Sequence, residues 1–391
     1  MPILSSRRTG PLLIAALLLV GYARLPAIPQ QSSGSAAHRK LSAASSEKLP
    51  SGVIALQMVT MQTGWAETTN GIFRTTDGAH SWTAVSPVGF TPAGTVNYPR
   101  VDFPSADAAW VLEKAPGGSV GLAHTTDGGQ TWTALPLPKL DYAGYFLSFP
   151  DANDGVLMAV GGAFMYHMTT AIYATSDGGH IWSQVERTTN SVVNIAPGSL
   201  PDVGDKVGLS FWNADGGWVT LSVVQNGVVG LYHTTNGGRT WSQQDLPGPP
   251  GVDPTDSVVQ FLTPPVTFGG GHGALAVQVE PQSTGGTVST IVYGTGNGGN
   301  TWSPTTTVNT GFSNTAFLRT STDWWLQNNN TGQLWRTIDG GKSWAAVPAT
   351  TSAPGGSQFS FVDATHGFAW KMDGALRVWK TTDGGVTWKA P

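Results

Sequence analysis

The stretch Thr75-Thr76-Asp77-Gly78-Ala79-His80-Ser81-Trp82 is a polar turn ending in tryptophan, and the chain repeats it. The same phrase runs from Asp127 to Trp132, Asp177 to Trp182, Asn236 to Trp241, Asn297 to Trp302, Asp339 to Trp344 and Asp383 to Trp388. Seven copies hold seven of the 16 tryptophans, spaced 50, 50, 59, 61, 42 and 44 residues apart between the Asp or Asn positions. Fixed recurrence at that period marks one repeat architecture rather than a row of unrelated domains. Locally, an Asp or Asn oxygen can accept bonds from nearby amides while Gly supplies positive φ, so the turn needs no ligand to explain it.

Upstream of each turn an apolar residue is followed six positions on by a small or turn residue: Met58 and Gly64, Phe103 and Ala109, Phe149 and Gly155, Phe211 and Gly217, Phe317 and Asp323, Phe361 and Gly367. The fifth unit, Phe268 to Gly273, is one residue shorter. A second strand follows, often announced by tryptophan, at Trp65, Trp110, Trp218, Trp324 and Trp370. The third strand carries an aliphatic column, Ile72, Leu122, Ile172, Leu231, Val292, Leu334 and Val378, with a mostly apolar residue next to each. Neighbours on a strand point to opposite faces, so these sheets are covered on both sides. A fourth strand begins at each phrase tryptophan. The expectation is all-β: a single seven-bladed β-propeller of four-stranded antiparallel blades over residues 51–391.

Composition agrees with short strands and tight turns: 51 Gly, 26 Pro and only 11% charged residues in 391. The net charge of -4 is uneven, because residues 1–50 carry six Lys or Arg against one Glu, leaving 14 basic and 23 acidic side chains beyond them. An acidic domain without a basic stripe is a poor match for nucleic acid. Arg7 and Arg8 precede an apolar run, Leu12 to Val20, laid out like an export signal and short for a membrane span. Residues 1–26 are therefore read as a signal peptide or N-terminal anchor and 27–50 as a flexible tether. The implied location is extracytoplasmic, secreted or held at the outer side of the cytoplasmic membrane, with membrane contact only through an uncleaved signal. With no cysteine there is neither a disulfide nor a lipidated cysteine.

The turns closely resemble the Asp-box, or BNR repeat, whose usual form is Ser/Thr, any residue, Asp, any residue, Gly, any residue, Thr, Trp. Departures are Ala79 for the second Gly, Ile181 for the Thr, and Asn236 and Asn297 for Asp. The fuller unit, Phe361-Val362-Asp363-Ala364-Thr365-His366-Gly367-Phe368-Ala369-Trp370 continuing to Thr381 and Trp388, resembles the photosystem II assembly and stability factor family of propellers. That resemblance implies a non-enzymatic, exported binding scaffold. Asp-boxes also occur in sialidases and xyloglucanases, at the rim away from the catalytic centre, so they do not choose between scaffold and enzyme.

A sialidase needs clustered arginines for its substrate's carboxylate. Seven Arg lie beyond the tether; Arg74, Arg336 and Arg377 sit on or beside third strands, and Tyr98-Pro99-Arg100 is only a faint echo of that family's arginine segment. Glu67, Glu113, Glu186 and Glu280 stand in no catalytic setting, while Asp141, Asp202, Asp205, Asp253 and Asp256 lie in links, where aspartates ordinarily cap turns. His124 and His233 occupy the position three before the turn Asp or Asn, where Arg74, Arg336 and Lys380 stand in other units. A cationic or polar cap over aromatic rings explains that column. No metal-ligand spacing and no cofactor motif appears.

The longest links, about Arg187 to Lys206 and Gln244 to Pro265, lie on the face opposite the turns, and long loops are where binding concentrates. Tyr98, Arg100, Tyr142, Tyr145, Arg187, Asp205, Lys206 and Phe312 are the candidate anchors there. The reading is a monomeric, non-catalytic propeller that binds an extracytoplasmic protein or assists assembly of an envelope complex. The alternatives are a secreted glycoside hydrolase, sialidase-like or glucanase-like, and a propeller that binds carbohydrate without cleaving it.

Overall fold

The computed structural model describes residues 38–40, 46, 47, 49, 52–91, 101–114, 119–140, 142–162, 167–188, 197–222, 229–248, 257–281, 288–308, 314–351, 357–371 and 377–390. It is a seven-bladed propeller. Each blade is an antiparallel meander running from the centre outward. Blade 1, for example, is Val53–Met58, Gly64–Thr68, Gly71–Thr75 and Trp82–Ala84. Blade 3 is Gly144–Ser148, Gly155–Val160, Thr170–Thr175 and Ser183–Arg187. In blade 5 the inner position is shared by Ser257–Phe261 and Val266–Gly269, both paired with His272–Pro281. Thr267, not Phe268, stands opposite Gly273, so the register keeps the six-residue spacing in the fifth unit. Blade 7 has Gln358–Phe361, Gly367–Lys371 and Arg377–Thr381, and Lys389 bridges Lys380 at its outer edge.

Two short pieces of the stretch read as a tether lie on outer edges: Ser46–Glu47 pairs with Trp82–Ala84 of blade 1, and His38–Lys40 with Thr131–Leu135 of blade 2. An outer strand presents unpaired N–H and C=O groups that such segments satisfy. The stretch read as an export signal falls outside the described residues. No helix of the described residues is long and apolar enough to cross a membrane.

The antiparallel order puts the turns between first and second strands, and between third and fourth, on one face of the ring, the turn face. The loops between second and third strands and the links between blades emerge on the opposite, link face.

Each tryptophan-ended turn is a closed hydrogen-bond ring. In blade 2, Thr125 Oγ1 donates to Asp127 Oδ1 at 2.8 Å and accepts from the Gly129 N–H at 3.0 Å. Asp127 in turn accepts the Thr131 N–H at 2.9 Å and the Thr131 hydroxyl at 2.6 Å. Both turn glycines have positive φ, 73° and 80°, and in blade 1 the second position is Ala79 at 69°. A methyl there is strained by about 1 kcal/mol.

The tryptophans do more than sit beneath their own turns. Trp132 packs with Ile72 and Val85 of blade 1, and its Nε1 donates to Val85 O at 2.6 Å. Trp241 packs with Ile172 of blade 3, Trp388 with Leu334 of blade 6, and Trp82 with Phe368 and Val378 of blade 7. Every blade is thereby riveted to the one before it, and Trp82 closes the ring. A ring aimed sideways buries more area than one tucked under a small turn.

Candidate functional site

The expected anchors that the structure describes lie on the link face, but not all of them face solvent. Tyr98, Arg100 and Phe312 fall outside the described residues, as do Asp141, Asp253 and Asp256. Tyr145 is 2% exposed, and its hydroxyl donates to Tyr142 O at 2.9 Å. Lys206 is 0% exposed, and its ammonium donates to Pro201 O at 2.6 Å, Met168 O at 3.1 Å and Gly204 O at 3.2 Å. Both therefore hold the protein's own chain rather than reaching outward, which corrects the expectation of exposed side chains at these positions. Burial draws the Lys206 ammonium down to about 8, against the opposing pull of Asp202 and Asp205.

Asp202 is also buried, accepting from His167 Nδ1 at 3.2 Å, and the Met168 N–H donates to Asp202 O at 2.7 Å. The link leading into blade 4 is wedged between blades: Leu200 is buried, and the Trp241 N–H donates to Gly198 O at 2.6 Å. Asp205 is partly buried, with Oδ1 unpartnered among the described residues. Arg187 is exposed and Tyr142 half-buried. They lie near Tyr173, whose phenol burial pushes up, with Tyr142 adding to the shift and Arg187 opposing it.

Of the carboxylates weighed for hydrolysis, Glu67, Glu113 and Glu186 are buried. No group of three metal-ligating side chains occurs among the described residues.

The turn face carries a second pattern. Register places the residue three before each turn Asp or Asn directly opposite one residue of the second strand. The pairs are Trp65 with Arg74, Trp110 with His124, Trp218 with His233, Trp325 with Arg336 and Phe368 with Lys380. Trp324 and Trp370 lie on their second strands, as the sequence indicates, but the residues under the caps there are Trp325 and Phe368. Leu318, not Phe317, opposes the strand start in blade 6, and Phe368 supplies the ring in blade 7.

Arg336 lies 4.5 Å from the Trp325 ring centroid, Arg74 5.6 Å from Trp65 and Lys380 5.7 Å from Phe368. The two histidines are different. His124 stacks on Trp110 at 4.1 Å and 13°, and burial pulls it down to about 4. Burial lowers His233 too. These imidazoles are neutral near pH 7, so at these two positions the cap is a polar one, a plain ring stack without a cation-π contribution.

The caps also bridge blades. Arg74 Nε donates to Ala106 O at 3.1 Å and Nη2 to Asp107 Oδ1 at 3.0 Å, both in blade 2, while Trp65 Nε1 donates to Ser105 O at 2.9 Å. In blades 3 and 5 the pair is absent: Val156 stands opposite Ala174, and Ala274 opposite Gly294. Clefts open beside both. One of about 330 Å³ lies between blades 3 and 4, lined by Asp154, Ala174, Asp177, Ile181, Ala214, Asp215 and Arg239 among others. The other, about 630 Å³, lies between blades 5 and 6 beside His272, Gly294, Thr305, Trp324 and Lys342. The sequence signal for the clefts is the break in the cap column, where Ala174 and Gly294 stand at the offset that Arg, His or Lys holds in the other five blades.

Residues 43–213 match the family model described as photosynthesis system II assembly factor YCF48. No curated protein matches the sequence. Among solved structures, YCF48 bound to D1 peptide superposes with a TM-score of 0.52 at 19% identity, over 90% of this chain and 99% of that one. A GH74 xyloglucanase from Xanthomonas campestris gives 0.54 at 16% identity, over 88% of this chain and 55% of the enzyme. A polysaccharide lyase of family PL25, an ulvan lyase bound to a GlcA-Rha3S saccharide, gives 0.51 at 11% identity over 88% and 94%. At such identities these structures establish the shared fold alone. The chain is a seven-bladed BNR-type β-propeller that resembles the photosystem II assembly-factor propellers, matching their family model through blades 1 to 3 and into blade 4.

Proposed function

We propose that this protein is an exported, non-catalytic propeller scaffold that binds a protein partner and assists assembly of an envelope complex. The observation that carries the reading is the match of residues 43–213 to an assembly-factor model. A similarly folded ring, YCF48, is known with a bound D1 peptide, so this architecture can bind a peptide. Export rests on Arg7, Arg8 and the Leu12 to Val20 run. The partner is an extracytoplasmic protein, met by irregular surfaces that the repeat does not dictate.

The test is cross-linked affinity capture from the envelope fraction, with excess untagged protein as competitor, run beside assays for sugar release from xyloglucan and sialosides. The expected result is one competed, near-stoichiometric partner cross-linked to the propeller and no released sugar. Release of sugar, abolished by an Asp or Glu substitution on the link face, would overturn the scaffold reading in favour of a glycoside hydrolase. Full-length protein found in the cytoplasm after fractionation would overturn export.

A further inference from the structure

The cleft between blades 3 and 4 repeats a site that elsewhere in the ring is occupied by the protein's own arginine. In blade 2, Ala106 O and the Asp107 carboxylate receive the guanidinium of Arg74 from blade 1. Asp107 lies two residues before Ala109, the residue opposite Thr125. In blade 4, Asp215 lies two residues before Gly217, which opposes Thr234 in the same register. The backbone is the same: the Gly128 N–H donates to Asp107 O at 2.9 Å, and the Gly237 N–H to Asp215 O at 2.8 Å. Each carboxylate residue is held by a side chain two positions earlier, Ser105 Oγ accepting the Asp107 N–H and Asn213 Oδ1 the Asp215 N–H. The acceptors are therefore present, Ala214 and Asp215 for Ala106 and Asp107, while the residue that would fill the place is Ala174 instead of arginine.

Two further features belong to the same cleft. Position 181 is isoleucine, 70% exposed, where the other turns have Ser or Thr. At Asp77, Asp127, Asp339 and Asp383 a hydroxyl four residues on donates to Oδ2 at 2.5 or 2.6 Å. Ile181 brings no hydroxyl to Asp177 Oδ2, so this oxygen is left for another donor. Asp154 also lines the cleft, its carboxyl pushed up by burial and by the neighbouring charges of Asp151 and Asp215, a repulsion that a cation relieves. Against three carboxylates the wall holds one cation, Arg239, whose Nη1 donates to Asn236 O at 2.8 Å on its own turn. The cleft between blades 5 and 6 lacks this set. Thr322 stands at the Asp107 position and Lys342 is in the wall.

We propose that the cleft between blades 3 and 4 receives an arginine side chain from a partner polypeptide, its guanidinium held by Asp215 and Ala214 O, with Ile181 offering apolar contact to the partner's adjoining residue. The proposal rests on the protein-binding reading and names the chemistry of one contact within it. Arginine fits better than lysine because its planar fork can bond a carboxylate and a carbonyl together, as Arg74 does.

The test is a ligand-observed NMR titration of the full chain with N-acetyl-arginine methylamide, beside the neutral citrulline analogue. Saturable binding of the arginine compound and none of the citrulline compound is expected. Asp215→Asn should weaken it about tenfold, the usual loss for a charge-assisted bond. Ala174→Arg, which fills the cleft from within as Arg74 fills its own, should abolish binding without lowering the melting temperature. Absence of saturable binding, equal binding of citrulline, or an affinity unchanged by Asp215→Asn would overturn the assignment, whatever the folding of Ala174→Arg. Partner capture that persists in Ala174→Arg would sink the cleft and leave the scaffold reading standing. Failure of capture by the wild type would sink that reading while the titration still judged the cleft.

Discussion

Replacing Trp132 by alanine should destabilise the propeller more than the same change at Trp182, although both end the same sequence phrase. Trp132 is 1% exposed and lies among blade 1 side chains, and its Nε1 donates to Val85 O across the blade boundary at 2.6 Å. Removing a buried ring of that size costs about 3 to 5 kcal/mol. Leaving Val85 O without its donor adds about 1 kcal/mol, for roughly 4 to 6 kcal/mol in all. Trp182 is half-buried and its Nε1 closes on Gly179 O of its own turn at 3.0 Å. Its loss therefore strands no carbonyl on a neighbouring blade and should cost about half as much. Asp127→Asn should cost under about 1 kcal/mol, because Asn236 and Asn297 make the same ring, donating from Nδ2 to Thr240 at 2.8 Å and Thr301 at 2.9 Å. With an unfolding entropy of about 2.1 cal/mol/K per residue over roughly 340 residues, Trp132→Ala should lower Tm by about 6 to 8 °C in calorimetry. If Trp182→Ala proves the costlier change, or Asp127→Asn rivals Trp132→Ala, the account of the tryptophans as rivets between blades is wrong.

Asp102 accepts the Phe149 N–H at 2.6 Å, and burial pushes its carboxyl up to about 6. Between pH 4 and 6 the folded chain keeps a proton that the unfolded chain releases, so this group's contribution falls as pH rises, by up to about 3 kcal/mol. Denaturation of wild type and Asp102→Asn across that range should show the variant gaining on the wild type toward pH 7; a gap moving the other way refutes the assignment. Lys206→Met strands three carbonyls and should cost about 2 to 4 kcal/mol in urea denaturation, whereas a neutral outcome would mean that the link into blade 4 is held by other contacts. Arg74 and Asp107 form a partly exposed pair at 3.0 Å. A double-mutant cycle on Arg74→Met and Asp107→Asn should give a coupling no larger than about 1 kcal/mol; a much larger value would mean the bridge is far better shielded than its exposure indicates.

The number of blades was readable because each turn must solve the same local problem, and Thr75, Asp77, Gly78 and Trp82 solve it with side chains close in sequence. Strand order followed from alternation and spacing. What escaped was any contact between repeats. A tryptophan at the end of a turn gives no sign in sequence of whether it faces its own hairpin or the previous blade. The one-residue offset at Trp324 and Trp325 is invisible until Leu318 is seen opposite Trp324. Tyr145 and Lys206 looked like surface anchors because tyrosine and lysine usually are; their burial depends on carbonyls from segments up to 38 residues away. The cleft between blades 3 and 4 was legible in principle, since Ala174 interrupts a column of Arg, His and Lys. Its meaning needed Asp215 placed beside it, and that is a fact of the ring.

The seam between blades 7 and 1 is closed by Trp82, Phe368, Trp370 and Val378, and among the described strands no sheet draws on both ends of the chain. Many closed arrays could hold their ends by lending a strand across the join; here the described meander strands of each blade come from one run of sequence, and only the edge strand His38–Lys40 of blade 2 comes from elsewhere in the chain. Covalent continuity across any single boundary is then dispensable to the sheets themselves. A circularly permuted chain, with the present ends joined by a linker and new termini cut between blades 4 and 5, would keep every hydrogen-bonded ladder intact. The same property lets a genetic duplication or deletion add or remove a whole unit at once, so the circumference of the ring, and with it the spacing of its clefts, can change in steps of one blade.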